Sequence, residues 1–299
     1  MRTTGGHFIY EDGFVTKQPT AYSDQMKILK SRGIIVDDEA FCIDILSRLN
    51  YYRLTAYMLP FKNSEGSYLP VRFERIYRIY EFDRKLRGIL LVALEEVELF
   101  LRTKIAYHFA HTYGALGHLD SNNFNKKRNL DGFISEFDKL VHKNREIPFV
   151  KHHAENKDGN FPIWVAVELF SFGMLSRFFA DLKHRDKRII AKQFFDTGPE
   201  QLQSWILCLS ILRNRCAHYM RLYFNDFNKW PKDDKREGRG LDNKIFDYLR
   251  ILKFCYPDKS KWRGTFFVGL HGLLMEYEDD IDMRQMGFPD NWGDFLESA

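Results

Sequence analysis

Apolar residues recur three and four positions apart along most of the chain, and this spacing is typical of amphipathic helices. The longest run starts at Phe73, continues to about Tyr113 and stops at Gly114, a residue type that favours helix ends. Shorter helices are predicted between Ser23 and Gly33, from Asp37 or Asp38, from Leu130 to Lys143, from Pro162, from Asp186 to Phe195, and over about residues 242–254 and 260–279. No strand-length alternation and no internal repeat recurs. The pattern therefore predicts an all-α fold built from many helices.

Loops divide this pattern into three segments. Residues 1–20 lack periodicity and end near Pro19, so we predict a loosely held N-terminal arm. Residues 21–62 are predicted to form a small helical unit, because a turn-rich stretch follows from Asn63 to Pro70. Residues 63–299 are predicted to form the main helical body. Within that body, residues 229–240 are predicted to be an exposed charged loop.

Polar and basic residues interrupt the apolar pattern of one helix between Ile211 and Arg221. The face of this helix that is predicted to be buried contains Trp205, Leu209, Leu212, Cys216, Met220 and Tyr223. The opposite stripe contains Ser210, Asn214, His218 and Arg221. A solvated face and an anion-binding site both explain such a stripe, and composition alone favours the solvated face.

The composition supports a globular protein. The 299 residues are 44% hydrophobic and 16% aromatic, which is enough for a sizeable core. No stretch approaches the roughly 18 uncharged apolar residues of a membrane span, so we predict a cytoplasmic protein without a membrane partner. The four cysteines include no Cys-x-x-Cys pair, and we predict neither a disulfide framework nor a zinc knuckle.

Carboxylates and histidines on the longest predicted helix raise the possibility of a metal site. Glu95, Glu96 and Glu98 precede His108 and His111 on this helix. A di-iron bundle requires Glu-x-x-His on two helices, and the sequence contains no such motif. Two histidines alone are a weak zinc site. We therefore predict no metal and no cofactor.

The charge of the chain limits its nucleic-acid partners. The net charge of +4 and a pI of about 8.7 are low for a protein that coats DNA, so DNA is not predicted as a partner. Contact with RNA would depend on local basic patches. The candidates are Lys183, Arg185, Lys187 and Arg188 in one run, with Arg215 and Arg221 near the interrupted helix. A solvated surface is the alternative interpretation of the run.

A tyrosine-rich stretch extends from Asn50 to Tyr57. Its rings can stack on RNA bases, as exposed aromatic side chains do in single-strand binding proteins. They can also brace a core and form hydrogen bonds at its rim, and this second interpretation is favoured because it is the commoner one.

The interrupted helix carries a motif. Arg213-Asn214, followed by three residues and His218, resembles the R-[N/H/K]-x-x-x-H signature of the HEPN (higher eukaryote and prokaryote nucleotide-binding) ribonucleases. A second Arg-x-x-x-x-His spacing, from Arg2 to His7, lies in a glycine-containing terminus and is interpreted as a chance match. Other stretches resemble successive blocks of the Abi-like family of bacterial abortive-infection proteins: Leu46–Leu54, Phe82–Arg87, Leu101–Tyr107, Pro162–Val165, Ser171–Gly173 and Met286–Pro289. The resemblance implies a HEPN-like helical bundle.

The resemblance implies an endoribonuclease that needs no metal. Such a reaction requires a group that takes the proton of the 2′-hydroxyl, a group that protonates the leaving 5′-oxygen, and positive charge at the phosphate. His218 would act as acid or base, and Arg213 would bind phosphate oxygens. Asn214 would hold the imidazole or a phosphate oxygen. Together they are the predicted catalytic residues.

Two further residues lie in the blocks that resemble the family. Arg102 is predicted to contact RNA phosphate, with an ion pair to Glu98 as the alternative. Glu168 is predicted to support the site by orienting an active-site arginine, although a single Glu on an amphipathic helix usually faces solvent.

The motif also predicts an assembly. Residues five apart lie about 140° apart on a regular helix, so Arg213 and His218 do not share a face without distortion. HEPN ribonucleases commonly join two motifs across a dimer, and this sequence has one credible copy, so we predict a homodimer.

The resemblance implies a toxin-like role in phage defence. RNA is the predicted substrate, and a small structured RNA is predicted as an inhibitory partner. A non-catalytic RNA-binding module and a helical scaffold for protein partners remain as alternatives.

Overall fold

Most of the described part of the chain is helical. The computed structural model describes residues 2–4, 7–9, 15–126, 129–232 and 242–298. The predominance of helices confirms the all-α prediction. The chain divides into two compact units, one containing residues 1–83 with 279–281 and the other containing residues 84–278 with 282–299. No helix in the described ranges is long and apolar enough to cross a membrane.

The first unit combines short helices with short strands. Its helices are α1 (Tyr22–Ser31), α2 (Glu39–Arg48), α3 (Tyr51–Thr55), a 3-10 helix (Ala56–Phe61) and the first turns of α4 (Phe73–Tyr113). Its strands are β1 (Arg2–Thr4), β2 (His7–Ile9) and β3 (Val15–Lys17), which pair in antiparallel order, and β4 (Ile34–Ile35), which pairs in parallel with β5 (Val71–Arg72). The segment predicted as a loose arm thus carries three strands, although residues 1, 5, 6 and 10–14 lie outside the described part.

The first unit extends past the boundary predicted at residues 62 and 63. The ring of Phe41 on α2 lies 6.3 Å from that of Phe73 and 5.6 Å from that of Tyr77, centroid to centroid. The buried hydroxyl of Tyr57 donates to Asp83 at 2.7 Å. These contacts tie the first turns of α4 to α2 and α3, so the units divide within a helix rather than at the loop.

The second unit contains the other helices. After α4 they are α5 (Leu130–Lys143), α6 (Pro148–Asn156), α7 (Ile163–Ala166), α8 (Phe172–Asp181), α9 (His184–Phe195), α10 (Pro199–Ala217), α11 (Ile245–Cys255), α12 (Lys259–Lys261), α13 (Val268–Glu276) and α14 (Trp292–Glu297). A π-helix (Trp262–Phe267) joins α12 to α13, and 3-10 helices cover Gly117–Leu119, Ser121–Asn123, Val167–Leu169 and Met283–Met286. Of the predicted charged loop, residues 233–240 lie outside the described part.

Two predicted elements of this unit are wrong. The sequence pattern predicted no helix between Lys143 and Pro162, yet this stretch contains α6, which begins at Pro148, a residue with φ already suited to a first helical turn. The single helix expected from Pro162 is interrupted, because Phe170 is extended and Ser171 caps α8 by accepting the N–H of Met174 at 3.1 Å. The first prediction missed a whole helix, and the second failed because the Ser171 cap starts a new helix within the apolar spacing.

An aromatic cluster forms one part of the core of the second unit. Phe178 lies within 6 Å, centroid to centroid, of Phe109, Phe124, Phe133 and Phe170. These rings come from α4, α5, α8 and the loops beside them, so burial of their surfaces holds together helices that are distant in sequence. The other part surrounds α10, which packs against α8, α9 and α11.

Candidate active site at the end of α10

The Arg213-Asn214 motif lies in the last turn of α10. The side chains of Trp205, Leu209 and Leu212 are fully buried, as the helical spacing predicted. The helix ends at Ala217, so the predicted continuation to Tyr223 is wrong. Met220 lies beyond the helix and is half exposed, whereas the spacing predicted that it is buried.

A backbone reversal ends α10. The N–H of Tyr219 donates to the carbonyl of Cys216 at 3.1 Å, and the N–H of Met220 donates to the carbonyl of Arg215 at 2.9 Å. This pair of bonds is the Schellman motif, which requires a left-handed residue that is usually glycine. Here Tyr219 takes that conformation with φ of 59°. A bulky residue in this backbone conformation costs about 1–3 kcal/mol, so the surrounding structure must offset the strain at this helix end.

His218 caps the helix and is exposed. Its N–H donates to the carbonyl of Asn214 at 2.9 Å, while no side-chain hydrogen bond is found for its imidazole within the described ranges. Asn214 is also exposed, and its Oδ1 lies 3.4 Å from Nη1 of Arg213. The imidazole is therefore accessible to a substrate, and Asn214 contacts Arg213 rather than the imidazole.

Arg213 reaches into a cleft of about 450 Å³. The residues that line this cleft are Leu91, Val92, Glu95, Glu98, Leu99, Arg102, Glu168 and Arg213. His218 is not among them. The structure thus brings Arg213 together with Arg102 and the predicted supporting residue Glu168, and it leaves His218 outside the cleft.

Glu98 links the two arginines of the cleft. One of its carboxylate oxygens accepts from Arg102, and the other lies 3.8 Å from Nε of Arg213. Glu98 and Arg102 are both more than nine-tenths buried. Arg102 also donates to the carbonyls of Val167 and Phe170, at the interruption between α7 and α8. Arg213 therefore lies beside a buried ion pair whose geometry is fixed by the backbone.

A family model described as Abi-like protein matches residues 44–224, more than half of the chain. The chain belongs to the Abi-like protein family. The match covers the cleft and the Arg213–His218 motif. No curated protein and no solved structure matches the chain.

The ion pair of this Abi-like protein bears on two predictions. Glu98 was considered as a partner of Arg102 and as a possible metal ligand, and its position beside Arg213 was missed. The four-residue spacing of Glu98 and Arg102 indicated the pair, but no sequence signal indicated the approach of α10. Glu168, which was predicted to orient an arginine, lines the same cleft and is exposed.

The basic run of the Abi-like chain divides into tethered and exposed residues. Nζ of Lys183 lies 5.3 Å from the centre of the Tyr113 ring. Lys187 donates to the carbonyl of Ala180 at 3.1 Å and to Gln203 at 2.9 Å, and burial lowers its pKa. Arg185 and Arg188 are exposed, and Nε of Arg185 lies 3.8 Å from the buried Asp186. The two exposed arginines are the members of the run best placed to meet phosphate.

A buried carboxylate anchors this run. Asp186 is fully buried and is hydrogen-bonded to the imidazole of His108 at 3.1 Å and to the hydroxyl of Tyr113 at 2.7 Å. Burial, with the hydrogen bond to Asp186, raises the pKa of Tyr113 to about 12, so its phenol remains a donor at neutral pH. His108 thus has a structural partner, and the described residues include no cluster of three side chains suited to a metal.

The remaining basic candidates lie beside aromatic rings. The guanidinium of Arg215 is 4.5 Å from the centre of the Phe227 ring, and that of Arg221 is 5.9 Å from the centre of the Phe224 ring. Both side chains are half-buried. Arginine side chains both stack on aromatic rings and bind phosphate, so these positions are compatible with the predicted role.

Proposed function

We propose that this Abi-like protein is a metal-independent endoribonuclease of the abortive-infection type. The observation that carries the proposal is the exposed His218 imidazole at the end of α10, five residues after Arg213. A histidine free of internal hydrogen bonds is available for proton transfer, and a neighbouring guanidinium supplies charge for a phosphate.

The proposed reaction uses the 2′-hydroxyl of the RNA as the nucleophile. The 2′-oxygen bonds to phosphorus as its proton passes to a base, and the bond from phosphorus to the 5′-oxygen breaks. The products are a 2′,3′-cyclic phosphate and a 5′-hydroxyl, which receives a proton from an acid. His218 serves as one of these two groups, and Arg213 stabilises the charge on the phosphorane.

One copy of the motif supplies one imidazole and holds it outside the cleft of its own Arg213, so we propose a homodimer with two sites, each pairing Arg213 of one chain with His218 of its partner. The position of Arg213 in a cleft that excludes His218 supports a site built from two chains. The basic test is cleavage of RNA in the presence of EDTA by purified protein, with detection of the cyclic phosphate. Intact RNA under all conditions would contradict the proposal.

A mixture of two inactive variants provides a sharper test of the dimer. Arg213→Ala and His218→Ala are each expected to be inactive. After mixing and subunit exchange in equal amounts, about one quarter of wild-type activity is expected, because half of the dimers are mixed and each mixed dimer holds one intact site. Cleavage rates are measured before and after exchange. No recovery in verified mixed dimers would place the whole site within one chain.

Exposed arginines are expected to set the salt dependence of RNA binding. Each phosphate contact contributes about 0.7 to the slope of log affinity against log salt for a single strand, so Arg185→Gln with Arg188→Gln should lower the slope by about 1.4. Lys187→Gln is the matched control, because Lys187 is tethered to Ala180 and Gln203. Titrations at several salt concentrations measure the slopes. Equal slopes in all variants would favour the alternative interpretation, in which the run is a solvated surface.

A non-catalytic RNA-binding module is the second candidate. The cleft around Arg213 contains Glu95, Glu98 and Glu168, and these carboxylates disfavour a phosphate there. RNA that copurifies uncleaved would favour this candidate, and its sequence would reveal whether the partner is the small structured RNA that the family resemblance implies.

A further inference from the structure

A second cleft, of about 670 Å³, lies entirely within the first unit. It is formed by the segment before α1, by α1, and by the junction of α2 with α3. Its lining residues are Gln18, Pro19, Thr20, Tyr22, Gln25, Ile28, Arg32, Leu46, Ser47, Arg48, Leu49, Asn50, Tyr51, Tyr52 and Thr55. This volume is in the range of pockets that hold small organic ligands.

The chemistry of this cleft differs from that of the cleft around Arg213. Its lining contains arginines but no carboxylate, whereas three glutamates line the other cleft. Amide and hydroxyl side chains supply hydrogen-bonding groups that suit base edges. Arg48 is paired with Asp44, so Arg32 is the lining cation that favours an anionic ligand.

Tyrosine rings give the cleft flat apolar surfaces. Tyr52 is 72% exposed and Tyr22 is 47% exposed, so neither ring fills a core. The rings of Tyr51 and Tyr52 lie edge-on, with their centroids 5.7 Å apart. The guanidinium of Arg32 lies 6.0 Å from the centre of the Tyr51 ring. Exposed rings beside guanidinium groups are the surfaces on which unpaired bases stack.

Tyr51 supplies an independent observation. Its hydroxyl is buried and has no hydrogen-bond partner in the described chain. Burial raises the pKa of Tyr51, so the hydroxyl remains a protonated donor at neutral pH. Buried polar groups are nearly always hydrogen-bonded, so this residue of the cleft lining holds a donor that the described protein atoms leave unused.

We propose that this cleft binds an unpaired nucleotide of a single-stranded RNA, with Tyr52 stacked on the base and Arg32 near the phosphate. The site lies in a different unit from the Arg213–His218 motif and is independent of cleavage. It assigns a function to the tyrosines that a purely structural role does not explain, because Tyr52 is exposed and braces no core.

The test measures binding of a fluorescent single-stranded 2′-O-methyl oligoribonucleotide to the full-length protein. This probe lacks the 2′-hydroxyl nucleophile, so binding is read without cleavage whether or not the protein is a ribonuclease. Tyr52→Ala is expected to weaken binding about tenfold, since one base-stacking contact is lost. Arg32→Gln is expected to weaken it as well. Tyr107→Ala is the matched control, because Tyr107 is 58% exposed on α4 and does not line the cleft.

Loss of affinity in Tyr52→Ala with wild-type affinity in Tyr107→Ala supports the site, provided that both unfold at the wild-type temperature. Equal affinities in the two variants, or no binding of the probe by wild-type protein, would overturn it. Free uridine or adenosine monophosphate is added as a competitor. If the free mononucleotide displaces the oligonucleotide at a similar concentration, the assignment of the cleft to a nucleotide within a strand would be overturned.

Discussion

The His218→Ala variant is expected to cleave RNA about 10²–10⁴-fold more slowly than wild type in EDTA, the loss typical for removal of a general acid or base. Its fold is expected to be intact, because the imidazole is exposed and forms no side-chain hydrogen bond in the described chain. Surface substitutions of this kind usually change the free energy of unfolding by less than about 0.5 kcal/mol. RNA affinity should also be nearly unchanged. Cleavage rates, urea denaturation and RNA titration measure these three quantities.

His152→Ala is the matched control for this variant. His152 is likewise exposed, on α6, and it does not line the cleft around Arg213. The His152→Ala variant should cleave RNA at the wild-type rate. Wild-type cleavage by His218→Ala would remove the catalytic role from His218, whereas an unfolded variant would show that the imidazole supports the structure.

The Arg102→Ala variant is expected to lose about 3 kcal/mol of the free energy of unfolding, because removing the hydrogen-bonded partner of a buried charge is strongly destabilising. The charge that loses its hydrogen-bonded partner is Glu98, which is more than nine-tenths buried and lies 3.8 Å from Nε of Arg213 through its other oxygen. The carbonyls of Val167 and Phe170 also lose their donor. Urea denaturation measures the change, and activity should fall with it because Arg213 loses a fixed neighbour.

Arg188→Ala provides the comparison, since Arg188 is exposed on α9 and its loss should change stability by less than about 0.5 kcal/mol. The experiment also separates the two interpretations of Arg102. A variant with wild-type stability but weaker RNA binding would favour direct contact with phosphate over the structural ion pair.

Apolar spacing predicted the long elements accurately. Helix α4 runs from Phe73 to Tyr113 as predicted, and Gly114 follows it with φ of 81°, a conformation that glycine adopts without strain. Helix α5 also has its predicted bounds, from Leu130 to Lys143. In both helices the sustained apolar stripe and the residue types at the helix ends predict the same bounds, and the tertiary structure keeps those bounds.

Spacing failed where a tertiary contact or a left-handed residue ends a helix. The interruption before Ser171 frees the carbonyls that Arg102 binds, and the sequence pattern contains no trace of that long-range contact. The end of α10 depends on Tyr219, a residue type that gives no signal for a left-handed conformation.

The candidate site was predictable only in part. The motif itself was recognisable, because its residues are close in sequence. The placement of Glu98 beside Arg213 was not, since it joins α4 to α10 across more than one hundred positions. The roles predicted for Arg102, Glu168 and the basic residues remain predictions that the variants above test.

The left-handed Tyr219 has a steric consequence for His218. In a continued helix, Arg221 and Leu222 would stand one turn above the imidazole and crowd it. The reversal instead directs the chain away, so that Leu222 is buried and the Arg221 guanidinium lies near Phe224. The exposed imidazole therefore has no further turn of α10 above it, and a long polymer can lie across the end of this helix without its terminus having to enter a channel.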